Sequence, residues 1–301
     1  MSGVDLVAVA VQPVPRRGRG ALLRMLRSPS LVAGLLLALG PLVAALVLQQ
    51  FTDRSGLGIF SNDPRLHPSS SHLLGTDGSG RDLLTSMVYG LPPTLEIGLI
   101  AGLVGVVAGT LLGILAGYLG GVVDAVVRAV TDVLLGIPPF ALLVVTAALI
   151  GTLSLRWLAI LIALFSWPLP ARAMRSQILA LREQGFVTMS RLSNRSAPAI
   201  MFFEILPNLF AYVSATFIGM VSSALLIAVG LQLLSLGPAN ASTLGLTLQT
   251  ALSNGALSEG LWWWWLPPTV ALVMLFIGLF LISLAVDQIA NPRLGRRNDR
   301  G

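Results

Sequence analysis

Residues 181–208 read LREQGFVTMSRLSNRSAPAIMFFEILPN and interrupt a sequence that is otherwise almost continuously apolar. Within a few helical turns this stretch collects Arg182, Glu183, Arg191 and Arg195, whereas the sequence on either side carries almost no charge. Charged side chains are seldom buried without partners, so the stretch must face water or a polar partner. We therefore expect a polar loop that joins two apolar segments.

The composition around this loop indicates a protein that crosses a membrane several times. Hydrophobic residues make up 55% of the 301 residues and charged residues only 11%, and several runs reach the roughly 20 apolar residues needed to cross hydrocarbon. The net charge of +6 comes entirely from arginine, since the chain has no lysine. These arginines cluster at the ends of apolar runs rather than along one stripe, so we expect a lipid bilayer and no nucleic acid as partner.

Two residue types are missing from the chain, and each absence excludes a kind of site. Without cysteine, the chain has no disulfide, no thiolate nucleophile and no cysteine metal site. Without lysine, it has no P-loop, because the lysine of that motif reaches the terminal phosphates of the nucleotide. If ATP drives this protein, another chain must bind it.

The apolar runs predict six membrane spans. The first, at 31–50, follows a basic segment at 1–30, and its apolar run is longer than the core of a cleavable signal peptide, so we expect it to remain as a span. An extracytoplasmic segment at 52–83 comes next, and a basic tail occupies 291–301. Residues 84–290 form a core with a polar inner loop at 181–200 and five spans, at about 94–118, 122–150, 157–177, 203–230 and 264–288.

The arginines predict the orientation of these spans. With the polar loop inside, Arg54, Arg65, Arg81 and Arg156 lie outside, and the other fifteen of the nineteen arginines lie on the inner side. Cytoplasmic segments of membrane proteins carry such an excess of positive charge. We therefore expect both termini in the cytoplasm.

A run of four tryptophans, Trp262–Trp265, stands just before the last span. Indole rings favour the headgroup region of a bilayer, so the run predicts an interfacial anchor, with an aromatic platform for substrate as the alternative. Pro267 and Pro268 follow directly and fit the first turn of a helix, where no backbone donor is lost.

The second span is preceded by the sequence HLLGTDGSGRD at 72–82. The run Thr76-Asp77-Gly78 is typical of a turn, and Gly80 permits a left-handed backbone. Asp82 is expected to cap a helix that begins at Leu83. From local chemistry alone, these are structural roles.

The same segment resembles a family signature. Residues 72–90, HLLGTDGSGRDLLTSMVYG, are similar to the pattern H-x-L-G-T-D-x-x-G-R-D-x-x-S-x-x-x-x-G of the second permease subunit of dipeptide, oligopeptide and nickel ABC importers. Residues 113–140, GILAGYLGGVVDAVVRAVTDVLLGIPPF, then resemble that family's G-x-x-A-G-Y-x-G-G-x-x-D-x-x-x-M-R-x-x-D-x-x-x-x-x-P stretch. The resemblance continues through LREQGFV and ILPN to NPRL and covers about residues 70–294. It marks a signature turn formed by Gly75, Thr76, Asp77, Gly80, Arg81 and Asp82.

The resemblance implies an all-α fold of the type I ABC importer permease kind, in the plasma (inner) membrane of a prokaryote. It implies a second homologous permease subunit, two ABC ATPase subunits and an extracytoplasmic solute-binding protein as partners. ATP and Mg²⁺ are expected in the ATPase subunits, with no cofactor in this chain. The implied function is to form part of the translocation path for peptides or a related small solute, without catalysis by this chain.

The resemblance also gives the polar loop a role. In this family the loop holds the EAA motif, a short helix that docks on the ATPase and couples its motion to the spans. Alignment on Pro207 places E-A-A at Thr188, Met189 and Ser190, the motif's arginine at Arg191 and its glycine at Asn194. The glutamate is therefore absent, which removes one charge-assisted contact, whereas asparagine tolerates left-handed geometry. The expected coupling residues are Glu183, Thr188, Ser190, Arg191, Asn194 and Arg195, and the charges among them that we expect to face the ATPase are Glu183, Arg191 and Arg195.

Ionisable residues inside the spans are expensive and predict functional sites. Glu96 either lines the translocation path and attracts a cationic or amine-bearing substrate, or lies near a helix N-terminus where the helix dipole stabilises it. Asp132 is a second path candidate and is expected to pair with Arg128, one helical turn away. Glu204 and Asp287, the latter near Arg293, are expected to have structural roles.

Two other classes of function stay open at this point. An ion-driven secondary transporter would use Glu96 or Asp132 as a proton or sodium site, and a polytopic membrane enzyme would need a nucleophile or metal cluster that no motif supplies. The substrate is also open among peptides, nickel or a metallophore, and oligosaccharides. In LLIAVGLQLLSLG, at 225–237, Ala228 stands where peptide permeases often carry glutamate, which favours a substrate other than a typical peptide.

Overall fold

The computed structural model describes residues 28–238 and 241–290, and the regular structure in these residues is helical apart from one antiparallel bridge between Thr76 and Asp82. The predicted all-α class is confirmed. The basic segment before residue 28, the tail at 291–301 and the side chain of Asp287 lie outside the described residues. In order, the described helices are α1 (Pro29–Leu48), α2 (Leu83–Leu119), α3 (Gly121–Gly136), α4 (Pro139–Ile150), α5 (Leu155–Ser166), α6 (Pro168–Leu181), α7 (Gly185–Leu192), α8 (Ala197–Leu233), α9 (Leu244–Ser253) and α10 (Trp262–Ala290).

The lengths of these helices agree with a protein that crosses a membrane several times. Across the described ranges, four helices, α1, α2, α8 and α10, are each long and apolar enough to span a bilayer. Two pairs, α3 with α4 and α5 with α6, pass the same test when each pair is counted as one span, which raises the total from four to six. Six is the number that the apolar runs predict.

The third and fourth predicted spans are not straight. The segment 122–150 is broken into α3 and α4, whose axes differ by 81°, and the segment 157–177 is bent by 43° between α5 and α6. Both breaks occur at prolines. Ile137 precedes Pro138 and takes an extended conformation with φ −106° and ψ 133°, as steric conflict with a following proline ring requires. Pro168 opens α6 and supplies no amide hydrogen to α5.

Helix α2 lies at the centre of the molecule and packs most extensively against α6 and α8, while α1 packs against α10. The close approach depends on a row of glycines spaced four or seven residues apart along α2, which was not predicted from the sequence. A side chain at either of the first two glycines of the row would strike Leu225 or Val221 of α8. A side chain at any of the last three would strike Pro170, Met174 or Ile178 of α6. Small residues at helix contacts are the usual route to tight packing in membranes. The row is Gly98, Gly102, Gly109, Gly113 and Gly117.

Helix α2 begins eleven residues earlier than the predicted span, and Asp82 explains where it starts. The Asp82 Oδ1 atom accepts hydrogen bonds from the Thr85 backbone N–H at 2.8 Å and from its hydroxyl at 2.9 Å, so the predicted cap is confirmed. The helix then continues through Pro92, whose ring removes the donor for the Val88 carbonyl. The Gln49 side-chain amide, beyond α1, donates to that carbonyl at 2.9 Å instead.

Half of the tryptophan run is part of the protein interior, a role that the predicted interfacial anchor does not include. Trp263 and Trp264 are buried. The centre of the His67 ring lies 4.3 Å from that of Trp263, so the segment at 52–83 packs against the tryptophan run. Only Trp262 keeps about half of its surface exposed. Helix α10 also begins at Trp262, so the two prolines at 267 and 268 lie inside the helix and not in its first turn.

Candidate functional site

The polar loop of the sequence folds into a short helix, α7, that is attached to the bundle by one side. Val187 is fully buried in an apolar cluster with Ile178 of α6 and Ile205 of α8. The opposite side carries Phe186, Met189 and Leu192, whose exposed fractions are 40%, 66% and 76%. Residues three apart lie on one helix face, so these three side chains form an exposed apolar row. We call them the α7 row.

Two arginines, one just before α7 and one within it, connect the polar loop to the corner between α2 and α3. Arg182 donates through Nη1 to the Gly117 carbonyl at 3.1 Å and through Nε to Glu183 at 3.0 Å. The Arg191 guanidinium lies 5.1 Å from the centre of the Tyr118 ring, within the range of a cation–π interaction. The corner itself turns at Gly120, which has φ +68°.

A third set of contacts joins the end of α7 to the start of α8. Glu204 accepts a hydrogen bond from the Ser190 hydroxyl and a second, at 2.6 Å, from Arg195 Nη1. Asn194, between these donors, has φ +57°, so it adopts the left-handed geometry that the sequence allows for it. Two of the expected coupling residues have local side-chain contacts: the Thr188 hydroxyl donates to the Gln184 carbonyl at 3.4 Å, and Glu183 pairs with its neighbour Arg182.

These contacts change the interpretation of the charges in this loop. Glu183, Arg191 and Arg195 were expected to face the ATPase, yet Glu183 pairs with Arg182, Arg191 lies over Tyr118, and Arg195 pairs with Glu204. Each charge has a partner within the chain because the loop folds back on α2 and α8. Glu183 and Arg195 still keep 72% and 55% of their side chains exposed, so their contact with the ATPase stays a prediction, and the α7 row is exposed beside them.

Helices α3 and α6 are joined by two ion pairs. Arg175 binds both carboxylate oxygens of Asp124, and Arg172 pairs with Asp132. The expected pairing of Asp132 with Arg128 is therefore wrong, because an arginine that precedes an acidic residue by four positions is the less favourable order in a helix and α6 brings a better-placed guanidinium. Asp132, Arg172 and Arg128 line a cavity of about 170 Å³ between the helices.

Glu96 lies in α2, thirteen residues beyond its first residue, so the alternative of a carboxylate near a helix N-terminus is wrong. Its side chain is 44% exposed and reaches Arg156, at the start of α5, at 3.7 Å. It shares a helix face with Leu99, Leu103 and Val107, all of which are exposed. Ionisable side chains within spans usually face the bundle interior or a water-filled cavity, whereas the exposed leucines and valine of this face are compatible with lipid as well.

The signature turn covers the first turn of α2, where the Leu83 N–H donates to the Gly75 carbonyl. Asp77 is buried and accepts hydrogen bonds from the Ser79 and Arg81 backbone N–H groups at 2.7 and 2.9 Å. Thr76 is buried and donates to the Asp63 carbonyl at 2.7 Å. Gly75 and Gly80 have φ +70° and +74°, and the left-handed backbone predicted at Gly80 is confirmed.

Comparison with known proteins gives one family and a set of relatives. Residues 109–296 match the family described as binding-protein-dependent transport system inner membrane component. A putative peptide permease protein of Brucella suis is 30% identical over 227 residues, which are 75% of this chain and 74% of that protein. A putative peptide transport system permease protein of the same organism is 31% identical over 276 residues, 90% of each chain. A dipeptide transport system permease protein of Alkalihalophilus pseudofirmus is 29% identical over 170 residues, 56% of each.

Proposed function

The chain belongs to the family of binding-protein-dependent transport system inner membrane components and is the permease subunit of an ABC importer, and from this premise we propose that it carries peptides and is driven through α7. ATP-dependent closure of the ATPase subunits pushes on α7, and the spans rock between inward-open and outward-open states, which is alternating access. Family membership assigns the chain to transport and gives no support to the membrane-enzyme alternative.

The observation that supports the role of α7 is its division into two faces. Val187 ties it to the buried cluster between α6 and α8, whereas the α7 row is exposed. An apolar row of this kind loses contact with water when a partner groove covers it, and each large apolar side chain then contributes up to about 1.5–3 kcal/mol. Docking in this chain therefore rests on apolar contact more than on the charges of the loop.

The proposed assembly contains a second homologous permease subunit, two ABC ATPase subunits and an extracytoplasmic solute-binding protein. ATP and Mg²⁺ act in the ATPase subunits. The arginine distribution supports an orientation with α7 and both termini in the cytoplasm of a prokaryote and the signature turn on the outer side of the plasma (inner) membrane.

Peptides are the proposed substrate class because the relatives carry the names peptide permease and dipeptide transport permease. Ala228, which favoured another substrate in the sequence, is buried in an apolar cluster with Leu143 and Leu158 of α4 and α5. A residue packed there between helices is not placed to select a substrate, so its departure from the peptide permease pattern does not oppose this proposal.

Two residues are proposed for the path itself. Glu96 marks the face of α2 that turns away from lipid, because a charge facing hydrocarbon costs a few kcal/mol. Asp132 lines the cavity between α3 and α6, nearer to α7. The first would meet the solute near the outer side and the second near the inner side.

Reconstitution tests the proposed function. The chain is co-expressed with the second permease, the ATPases and the binding protein encoded beside it, and the complex is placed in proteoliposomes. We expect uptake of labelled di- and oligopeptides that requires both ATP and the binding protein. Uptake by the lone chain under a proton or sodium gradient would establish the secondary transporter instead. Uptake of nickel or oligosaccharides but no peptide would reassign the substrate.

Glu96→Gln is expected to lower the uptake of peptides with a free amino terminus about tenfold, because one charge-assisted contact is worth roughly 1.5–3 kcal/mol. Uptake of amino-blocked peptides should change little. Glu259→Gln is a matched control, since Glu259 also pairs with an arginine, Arg65, and its side chain is 43% exposed compared with 44% for Glu96. Equal uptake of both peptide classes by wild type and Glu96→Gln would remove Glu96 from the path.

A further inference from the structure

The carboxylate of Glu204 joins three parts of the chain that the sequence keeps separate. One oxygen accepts from Ser190, in the last turn of α7, and the other accepts from Arg195, in the connection that follows, at 2.6 Å. Glu204 itself lies near the start of α8. Its side chain is only 15% exposed, and hydrogen bonds to an ionised carboxylate are about twice as strong as neutral ones.

The backbone between the two donors is shaped to bring them to the same carboxylate. The Asn194 N–H donates to the Arg191 carbonyl at 3.0 Å, and the Arg195 N–H donates to the Ser190 carbonyl at 3.2 Å. With Asn194 in the left-handed region, these two bonds form a Schellman motif, the helix end that usually needs glycine. Arg195 follows the left-handed residue directly, and this placement brings its side chain to Glu204.

The backbone that carries Glu204 is also unusual. Met201–Ile205 is a π-helical turn, closed by a bond from the Leu206 N–H to the Met201 carbonyl, five residues back. Turns of this type are rare and occur preferentially at functional sites. Met201 and Ile205 are buried in the same apolar cluster as Val187 of α7. The backbone on both sides of Glu204 is thus held by the core, while the carboxylate reaches α7.

We propose that Glu204 is a positioning residue that locks the end of α7 to the start of α8, so that displacement of α7 moves α8 as one body. Glu204 acts on the segment where this chain departs from the EAA motif of the family, since Thr188 and Asn194 stand in place of the motif's glutamate and glycine. The inference rests on the proposed function for its role in transport, but the lock itself is a property of this chain alone. Pairing of Ser190 and Arg195 with one carboxylate is what converts a flexible connection into a rigid one.

The lock is tested by measuring the distance between α7 and α8. The chain has no cysteine, so Thr188→Cys with Phe203→Cys, both at exposed positions, gives a spin-labelled pair in the full-length protein within its assembled transporter in nanodiscs. We expect a narrow distance distribution in the parent, a broad one with Glu204→Gln, and an intermediate one with Ser190→Ala. Glu259→Gln is the matched control, because Glu259 also pairs with an arginine, Arg65, and contacts neither α7 nor Glu204 in that pair; its distribution should stay narrow.

The same variants are assayed for peptide uptake per ATP hydrolysed. Glu204→Gln is expected to lower this ratio about tenfold, the factor corresponding to one lost charge-assisted bond, and Glu259→Gln to leave it unchanged. An unchanged distance distribution in both Glu204→Gln and Ser190→Ala would overturn the lock. A broad distribution with an unchanged uptake ratio would confirm the lock and overturn the coupling role of α7. Should Glu204→Gln fail to fold, Ser190→Ala, which removes a single hydroxyl, decides the question.

Discussion

Met189→Asp is expected to weaken the binding of the ATPase subunits to this chain at least about tenfold. Peptide uptake should fall to a matching extent. Met189 is the middle residue of the α7 row and is 66% exposed. The substitution removes the burial of one large apolar side chain, worth about 1.5–3 kcal/mol, and places a charge in an apolar contact. Binding is measured by co-purification and by titration of the purified ATPase onto the permease in nanodiscs.

Thr188→Asp is the control for Met189→Asp, because it introduces the same charge one residue earlier on an exposed position outside the α7 row. It should bind the ATPase at least as well as the parent, since it returns an acidic residue to the position of the motif's glutamate. Equal loss of binding in both variants would mean that any negative charge on α7 disrupts docking. Equal retention would mean that the α7 row is not the contact.

Gly113→Leu is expected to destabilise the chain by about 3 kcal/mol, at the upper end of the usual effect of overfilling a packed interior. A Cβ atom at this position would lie 2.6 Å from the Cβ of Met174 and 2.8 Å from the Ala171 carbonyl oxygen. Backbone atoms of α6 cannot move aside without separating α2 from α6, the most extensive helix contact of the molecule. The thermal unfolding temperature and the yield of monodisperse protein in detergent measure the effect.

Gly219→Leu is the matched control for Gly113→Leu. Both replace a helical glycine in a predicted span by leucine, but no atom lies within 4 Å of a Cβ at Gly219. The control is expected to unfold at the parent temperature or slightly above it, because leucine favours helix more than glycine does. Parent-like unfolding of Gly113→Leu would show that α2 and α6 do not require the close approach.

Much of the fold follows from features that are local in sequence. The apolar runs predict the membrane class and the number of spans because roughly 20 apolar residues in a row have few alternatives to crossing hydrocarbon. Asp82 predicts the start of α2 because its carboxylate reaches backbone donors within three residues. The glycine row of α2 was also present in the sequence, at spacings of four and seven, but its role was not predicted because a glycine does not indicate which helix will pack against it.

The polar loop shows where prediction from sequence stops. Its residues, its helix and the left-handed geometry allowed at Asn194 are properties of a short segment and were open to reasoning from sequence. The partner of each charge was not, because Asp132 lies between Arg128 in its own helix and Arg172 in another, and only the packing of α3 on α6 selects the second. Glu204 likewise lies fourteen residues from Ser190, with a π-helical turn behind it.

Sequence alone thus determined that this protein spans a membrane, resembles an importer permease and has a polar helix in a loop between spans, since hydrophobic length, capping and motif spacing act over short distances along the chain. Tertiary structure alone decided the partners of the charges around that helix, which are Glu183 for Arg182, Tyr118 for Arg191 and Glu204 for Arg195, and the exposure of the α7 row beside them. A charge pairs with the opposite charge or aromatic ring that helix packing brings within a few ångströms. The order of the residues along the chain does not give that distance.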